Sequence, residues 1–382
     1  MGRHRAWLKA AAAAACATSG ALAIWTVARR GLGGPRVHIV GLHRVVDSLE
    51  RLPADVLPSL CITSSSLQRL GEEARRRFEV LPLDALGPVL SGHRALRRDA
   101  LVITFDDGYR DVYLRALPIL RALGLPATVF VPTGFIGSPA PLPHDRLHAL
   151  LVHARAARRR LDLPHAPRSL RDVLERADSV LRLNGPAAAL DALLYALSSD
   201  ALGAAAAALE DRLGVAPLPD EGARVMSEAE LRACVDGGIQ LGAHTVDHAV
   251  LTRESAARVR RELLRPRHDL EAISGTPCRT FAWCNGRWSP PLVAALREAG
   301  YTLAVTTRDR PNLVGARVEP LLLGRKVLHE GHVRGAAGRY SAPLAAVHLH
   351  DLFGALGLTR PVDGHDPGAH PHDTEPGWRR SA

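Results

Sequence analysis

Short apolar runs alternate with amphipathic stretches along most of the chain. Continuous apolar runs predict strands that are buried on both faces. The predicted strands are Val37–Leu42, Leu101–Phe105, Ala127–Val131, Ile239–Gly242, Arg279–Trp283 and Leu303–Thr306. Helical periodicity between them predicts helices over Ser64–Arg77, Tyr113–Leu123, Glu228–Asp236, Ser255–Ser274 and Pro291–Ala299. Strands that alternate with helices favour an α/β fold in which a parallel sheet closes, or nearly closes, into a barrel wrapped by helices.

Two segments break this alternation. Residues 141–224 are rich in Ala, Leu and Arg at helical spacing and carry no chemical cluster, which predicts a helical insertion between two barrel strands. Residues 359–382 are rich in Pro, Gly, His and Asp without an apolar period, which predicts a disordered tail. The main domain is therefore expected over residues 37–358.

The first 36 residues are predicted to form a leader. Basic residues precede the apolar run Ala10–Ala28, Arg29 and Arg30 follow it, and a Gly/Pro linker is expected over Gly31–Arg36. A basic start before an apolar run is typical of an export signal or an uncleaved anchor, and nineteen residues just suffice to cross a bilayer. We expect an exported or membrane-anchored protein of the cell envelope. The alternative is an alanine-rich leader on a cytoplasmic protein.

Charge and cysteine content exclude other classes of protein. The net charge is +10, but it comes almost entirely from arginine, and aromatic residues make up only 4% of the chain. Without a basic stripe interleaved with aromatics, nucleic acid is not the expected partner. The five scattered cysteines form neither a disulfide framework nor a CxxC zinc motif. Cys278 and Cys284 flank a predicted strand and are too far apart to pair if that strand is continuous.

Two adjacent aspartates follow the second predicted strand. Asp106 and Asp107 lie in the run Thr104–Tyr109 (Thr-Phe-Asp-Asp-Gly-Tyr), at the strand end where barrels build active sites. Buried neighbouring carboxylates repel each other, and a cation relieves the repulsion. One aspartate can then bind a metal while the other moves protons. The alternative is a surface turn in which Gly108 supplies a positive φ.

Two histidines follow the strand predicted over Ile239–Gly242. His244 and His248 would lie on one face, one turn apart, if a helical turn begins there. Two imidazoles and one carboxylate make a metal site that keeps positions open for water and substrate. The alternative is two unrelated histidines in a chain that contains 18.

Three runs together resemble a known family. Thr104–Tyr109, His244–His248 (His-Thr-Val-Asp-His) and Arg279–Gly286 (Arg-Thr-Phe-Ala-Trp-Cys-Asn-Gly) are similar to successive motifs of the polysaccharide deacetylases, the NodB-homology or carbohydrate esterase family 4 group. The resemblance implies a distorted (β/α) barrel with the helical insertion added.

The same resemblance implies roles for individual residues. Asp107, His244 and His248 match the metal ligands, Asp106 matches the catalytic base, and Arg279 matches the arginine that holds the base in place. The backbone near Trp283 and Asn285 is expected to bind the developing oxyanion. Trp283 and Cys284 stand where the family commonly has tyrosine and proline. Cys284 is therefore either a bystander or an additional ligand or nucleophile.

A proton donor is expected from the first strand. Leu42-His43-Arg44-Val45 resembles the Tyr-His-x-Val opening of the branch that includes poly-N-acetylglucosamine deacetylases, where the acid histidine comes from this strand. We expect the His43 imidazole close to the metal, on the side opposite Asp106. A purely structural His43 is the alternative, and His329, His348 and His350 are weaker candidates for the acid.

The expected activity is metal-dependent removal of N-acetyl groups from N-acetylhexosamine units of a polysaccharide or glycoconjugate. Sugar O-deacetylation and a catalytically silent carbohydrate-binding relative are the alternatives. Two histidines and one aspartate suit one zinc ion best, although nickel, cobalt or manganese also binds such sites.

Overall fold

A computed structural model describes residues 20–216, 221–315, 318–335 and 338–356. Its strands are β1 (Arg36–Leu42), β2 (Arg44–Val46), β3 (Cys61–Thr63), β4 (Glu79–Val80), β5 (Ala100–Phe105), β6 (Ala127–Val131), β7 (Ile239–Ala243), β8 (Thr280–Ala282), β9 (Leu303–Val305), β10 (Asn312–Leu313) and β11 (Lys326–Val327). Its α-helices are α1 (Ala21–Gly33), α2 (Ser64–Arg77), α3 (Leu86–Leu90), α4 (Leu117–Leu123), α5 (Pro143–Ala156), α6 (Arg168–Asn184), α7 (Pro186–Ala196), α8 (Ser199–Leu213), α9 (Glu228–Asp236), α10 (Ala256–Ser274), α11 (Pro290–Glu298), α12 (Glu330–Val333), α13 (Ala342–Leu349) and α14 (Leu352–Ala355).

The main sheet is a curled, mostly parallel barrel wall. Its strand order is β10-β1-β5-β6-β7-β8-β9, and β11 also pairs with β1. Leu323 bridges to Val305 of β9, and Lys326 pairs with Val40 of β1, so one short segment joins the two sides of the wall. The predicted distorted (β/α) barrel is confirmed.

Alternate residues of each strand enter different hydrophobic cores. In β1, Val40 and Leu42 join the large core beneath the helices, whereas Val37 and Ile39 join a second core with residues of β5 and β9. Both faces of the sheet are therefore buried, which explains why the strands read as continuous apolar runs.

All six predicted strands are present. The structure also contains shorter strands that the sequence does not predict. The strand predicted over Arg279–Trp283 is shorter than expected, since β8 covers only Thr280–Ala282. Strands of two or three residues such as β4 and β11 are too short to show an apolar period. The helix predicted over Tyr113–Leu123 begins as a π-helical segment (Val112–Ala116) and continues as α4.

The predicted helical insertion is confirmed. Helices α5 to α8 follow one another between β6 and β7 and share a hydrophobic core of their own, which includes Leu150, Leu193 and Leu209. The residue before α5 does not join this core, because Leu142 is fully buried in the core of the barrel. The insertion is thus fixed to the barrel at the point where it begins.

Helix α1 corrects the predicted linker. The chain stays helical through Gly33, and β1 begins at Arg36, so Gly31–Arg36 is not a free linker. Leu22 packs against Val347 and Phe353, and Arg29 pairs with the buried carboxylate of Asp99. No helix among the described residues is long and apolar enough to cross a membrane. The predicted tail and residues 1–19 of the predicted leader lie outside the described residues.

Asp99 should contribute measurably to stability. Its carboxylate is 2% exposed, pairs with Arg29 and accepts a hydrogen bond of 3.0 Å from the Arg36 backbone N–H. We predict that Asp99→Ala lowers the free energy of unfolding in urea by about 3 kcal/mol, because it leaves a buried guanidinium uncompensated. In Asp172→Ala, which removes an exposed pair with Arg168, the loss should stay below about 0.5 kcal/mol.

This contribution should depend on pH. Burial alone would raise the pKa of Asp99, but His38, the Arg36 N–H and Arg29 together lower it to about 2. The stabilisation is therefore fully present above the unfolded-state pKa, near 4, and is lost as the pH falls through about 2. Equal losses of unfolding free energy in Asp99→Ala and Asp172→Ala would contradict the stabilising role of Asp99.

Candidate active site

Asp106 and Asp107 occupy a strained turn directly after β5. The Asp106 N–H donates to Leu42 O at 2.8 Å, which continues the pairing of β1 with β5. Asp107 and Gly108 then have positive φ angles of 68° and 61°. Both carboxylates are buried. The turn separates them, so that each carboxylate meets a different group of neighbours.

The segment His244–His248 is a turn rather than the predicted helical turn. Thr245 and His248 have positive φ angles of 64° and 54°. The buried carboxylate of Glu262, on α10, accepts hydrogen bonds from the backbone N–H groups of Val246 at 2.7 Å and Asp247 at 3.0 Å. A carboxylate on a neighbouring helix therefore fixes a backbone conformation that ordinary residues rarely adopt.

The turn brings both histidines to Asp107. Asp107 Oδ1 lies 3.1 Å from His248 Nε2 and 3.5 Å from His244 Nε2, and the oxygen is buried without a hydrogen-bond partner. His244 Nδ1 lies 2.8 Å from Ala282 O, which leaves Nε2 as the nitrogen available to a ligand. Burial would raise the pKa of Asp107, but the surrounding imidazoles hold it well below its ordinary value.

These separations fit one divalent metal ion. Two ligand atoms bound to a tetrahedral zinc lie roughly 3.4 Å apart, given Zn–N and Zn–O bonds of about 2.0–2.1 Å. The distances from Asp107 Oδ1 to the two histidines are close to this value. Ligand atoms of Asp107, His144 and His248 also lie within 4.8 Å of one another, as do those of His244, His248 and Cys284.

Arg325, and not Arg279, holds Asp106. Its two terminal nitrogens each donate to one Asp106 oxygen at 2.6 Å, and its side chain is buried. Gly41 makes room for it, since a Cβ there would lie 3.1 Å from the guanidinium. Arg279 is exposed and precedes β8, at the end of that strand away from the site. The role expected for Arg279 is therefore corrected.

His43 lies beside Asp106 rather than opposite it. Its Nε2 is 3.8 Å from Asp106 Oδ2, because β1 and β5 are adjacent parallel strands paired through Leu42 and Phe105. Burial lowers the pKa of His43, although Asp107 and Asp106 oppose this shift. His43 Nδ1 is buried without a hydrogen-bond partner.

Trp283 is a core residue, which corrects its expected place in the oxyanion site. Its indole is 1% exposed and donates to Leu321 O at 2.9 Å, and its backbone N–H donates to Val305 O at 3.1 Å. Asn285 lies in the next turn with a φ of 53° and is half-buried. Its role at the oxyanion stays a prediction.

Cys284 lies behind His244. Its Sγ is 3.7 Å from His244 Nδ1, the ring nitrogen that faces away from Asp107, and 3.6 Å from Thr245 Oγ1. Cys278 and Cys284 are both free thiols, as expected. The thiol of Cys284 thus contacts the His244–His248 turn at His244 and Thr245.

The other candidate histidines lie at different places. The His350 ring packs 4.6 Å from Phe78 and 6.3 Å from His38, near the start of β1 and away from the site. His348 packs 5.4 Å from Phe353. Burial lowers the pKa of His329, and its electrostatic interaction with His43 lowers this pKa further.

His144 and Asp145 also belong to the site, although no sequence motif indicates them. Tyr109, the last residue of the Thr104–Tyr109 run, places its hydroxyl 2.8 Å from both His144 Nε2 and Asp145 Oδ2. His144 Nε2 is also 3.6 Å from Asp107 Oδ2. Both residues open the insertion, where no motif signals chemistry.

A family comparison identifies the class of protein to which this site belongs. Residues 93–175 and 184–304, more than half of the chain, match the family model described as polysaccharide deacetylase. The chain belongs to the polysaccharide deacetylase family. Membership implies a hydrolase that removes acetyl groups. Among curated protein sequences, none matches the chain significantly.

Solved structures of other deacetylases share the fold of this polysaccharide deacetylase. The Streptococcus pyogenes deacetylase PplD in complex with acetate is 15% identical, with a TM-score of 0.50 over 79% of this chain and 96% of that one. IcaB from Ammonifex degensii is 17% identical, with a TM-score of 0.51 over 83% of this chain and 98% of that one. At these identities the likeness establishes the fold alone.

The orienting role of Arg325 leads to a test with a matched control. We predict that Arg325→Lys slows acetate release from an acetylated glycan about 100-fold, because lysine keeps the charge but cannot hold Asp106 by two parallel hydrogen bonds. The same exchange at the exposed Arg279 should leave the rate unchanged. Normal turnover in Arg325→Lys with loss in Arg279→Lys would restore the original assignment.

Proposed function

We propose that the protein is a metal-dependent hydrolase that removes N-acetyl groups from N-acetylhexosamine units of a polysaccharide or glycoconjugate. The observation that carries the proposal is the pair of buried neighbouring carboxylates with separate partners. Asp107 faces His244 and His248, whereas Asp106 is held by Arg325. This division of roles suits metal binding by one aspartate and proton transfer by the other.

The proposed cofactor is one divalent ion, zinc in the first instance, held by Asp107, His244 and His248. Such an ion would lower the pKa of a bound water and polarise the carbonyl of the acetamide. The unpartnered Oδ1 of Asp107 supports the assignment, because a buried carboxylate oxygen without a hydrogen bond is costly unless a cation accompanies it.

Asp106 is the proposed general base. Burial raises the pKa of its carboxyl, but Arg325 outweighs burial and keeps the pKa below its ordinary value, so the base is ionised at neutral pH. It accepts a proton from the attacking water as the water oxygen bonds to the carbonyl carbon. The two hydrogen bonds from Arg325 keep its oxygens in a fixed orientation for this transfer.

His43 is the proposed proton donor to the leaving group. When the C–N bond breaks, the sugar nitrogen must leave as an amine and needs a proton. His43 Nε2 is 3.8 Å from the oxygen of Asp106 that would carry the proton of the water. A proton gained during turnover can therefore pass along this side of the pocket, even though burial keeps His43 neutral at rest.

The location proposed for this activity is the cell envelope. An exported or membrane-anchored enzyme would meet N-acetylated polymers there, and the basic and apolar pattern of the leader is the basis for this part of the proposal.

The experiment that tests the activity is acetate release from a panel of N-acetylated and O-acetylated glycans, with metal analysis of the same samples. We expect release from N-acetylglucosamine oligomers by the metal-loaded protein and its loss after chelation. Asp106→Asn should lower kcat about 10²- to 10⁴-fold with metal content retained, since it keeps the shape of the base but cannot accept the proton. The double change of His244 and His248 to alanine should remove the metal.

The outcomes separate the three candidate functions. Release from O-acetylated glycans alone would make the protein an esterase. Glycan binding without any release would make it a silent relative. Full metal occupancy in the double histidine variant would refute the ligand assignment.

His43 can be tested by varying the leaving group. We predict that His43→Ala retains metal but loses about 10²- to 10⁴-fold in amide hydrolysis. It should lose much less on an activated acetyl ester, whose leaving group departs without protonation. His329→Ala, which removes another histidine considered for the proton donor, should affect both substrates little. Equal losses on amide and ester in His43→Ala would point to a structural role instead.

A further inference from the structure

The helical insertion places a third imidazole at the carboxylate of Asp107. His144 is the second residue of α5, and its side chain is 8% exposed. Its Nε2 lies 3.6 Å from Asp107 Oδ2, and its ring centroid is 4.7 Å from that of His248. The two oxygens of Asp107 thus face different histidines, because Oδ1 faces His244 and His248.

The position of His144 is built rather than accidental. Leu142, fully buried in the barrel core, fixes the chain just before α5, and Pro143 begins the helix. The Tyr109 hydroxyl lies 2.8 Å from His144 Nε2 and donates to Asp145 Oδ2 at 2.8 Å. The first turn of α5 is therefore held on the barrel by the residue that ends the double-aspartate run.

The spacing of these groups suits a common ion. Ligand atoms of Asp107, His144 and His248 all lie within 4.8 Å of one another. The 3.6 Å between His144 and Asp107 is close to the 3.5 Å between His244 and Asp107. The set also includes two unpartnered buried atoms, Asp107 Oδ1 and His144 Nδ1.

We propose that His144 is a fourth protein ligand of the metal ion, contributed by the insertion. The inference rests on the proposed metal site and extends it to a residue outside the three sequence motifs. Four protein ligands fill a tetrahedral shell, so a substrate could reach the ion only at coordination number five or six. The site would then favour ions that readily accept six ligands, such as cobalt or nickel, more than a site with three ligands does.

The competing account gives His144 only a hydrogen bond to Tyr109. In that account, the imidazole donates to the Tyr109 hydroxyl and secures α5 without touching the metal. Tyr109→Phe separates the two accounts, because it removes this hydrogen bond but leaves the imidazole in place.

The test measures metal binding by the full chain, without reference to activity. Affinity for Co²⁺ is measured by competition with a chromophoric chelator, and imidazole ligands are counted by X-ray absorption on the Co²⁺ protein. We expect three imidazoles in the native protein and two in His144→Ala. The dissociation constant of His144→Ala should rise about 100-fold, at least as much as the loss of an outer-shell partner causes. His153→Ala, which removes an exposed histidine of the same helix, should bind Co²⁺ like the native protein.

Each remaining outcome decides the question. His144→Gln keeps a polar side chain near Tyr109 and replaces the alanine variant if thermal melting shows that variant to be unfolded. Native affinity in His144→Ala or His144→Gln, or two imidazoles in the native protein, overturns the inference and leaves the three-ligand site standing. Equal weakening in Tyr109→Phe and His144→Ala supports the hydrogen-bond account and also overturns it. Failure of the native protein to bind any divalent ion overturns the proposed metal site as well.

Discussion

Two carboxylates on consecutive residues, both buried, are the constraint on which the site depends. Asp106 and Asp107 could not remain ionised in this place without positive charge or strong donors close to each of them. The turn with positive φ after β5 lets their side chains diverge. Arg325 then compensates one, and a cluster of imidazoles surrounds the other. The charge of each carboxylate is thus balanced from a different part of the fold.

The segment that closes the barrel also supplies Arg325, the residue that holds Asp106. The segment from Leu323 to Val327 connects the β9 side of the wall to β1, and Arg325 is at its centre. The backbone N–H of Arg325 donates to Arg308 O at 2.8 Å, while its side chain crosses Gly41 to reach Asp106. Closing the barrel therefore also positions the base, so that the reactive geometry depends on complete folding of the sheet.

The sequence predicts this fold well where its signals are contiguous. The barrel strands are continuous apolar runs because both faces are buried, and the double aspartate and the paired histidines each occur within one short run. His244 and His248 were expected on a helical turn, because a spacing of four residues fits both a helix and the observed turn. The sequence carries no backbone angles, so it could not distinguish the two.

Other parts of the site depend on contacts between distant segments. Arg325 lies 219 residues from Asp106 and belongs to no motif, although an arginine just after the apolar residues Leu321–Leu323 is a weak signal of a buried charge. His144 is hidden in a segment with the composition of an ordinary helical bundle. The place of His43 beside Asp106 follows from the pairing of β1 with β5, because adjacent parallel strands end side by side. The sequence does not state which strands pair.

Helix α1 has a consequence for the orientation of the whole molecule. It attaches to the barrel at Asp99, which precedes β5, whereas the catalytic residues follow the same strand. The six residues of β5 span roughly 20 Å. Helix α1 therefore lies at one pole of the barrel, and Asp106 and Asp107 lie at the other. A surface that bound α1 would therefore lie at the pole away from Asp106 and Asp107, and it would leave the carboxyl ends of the barrel strands uncovered.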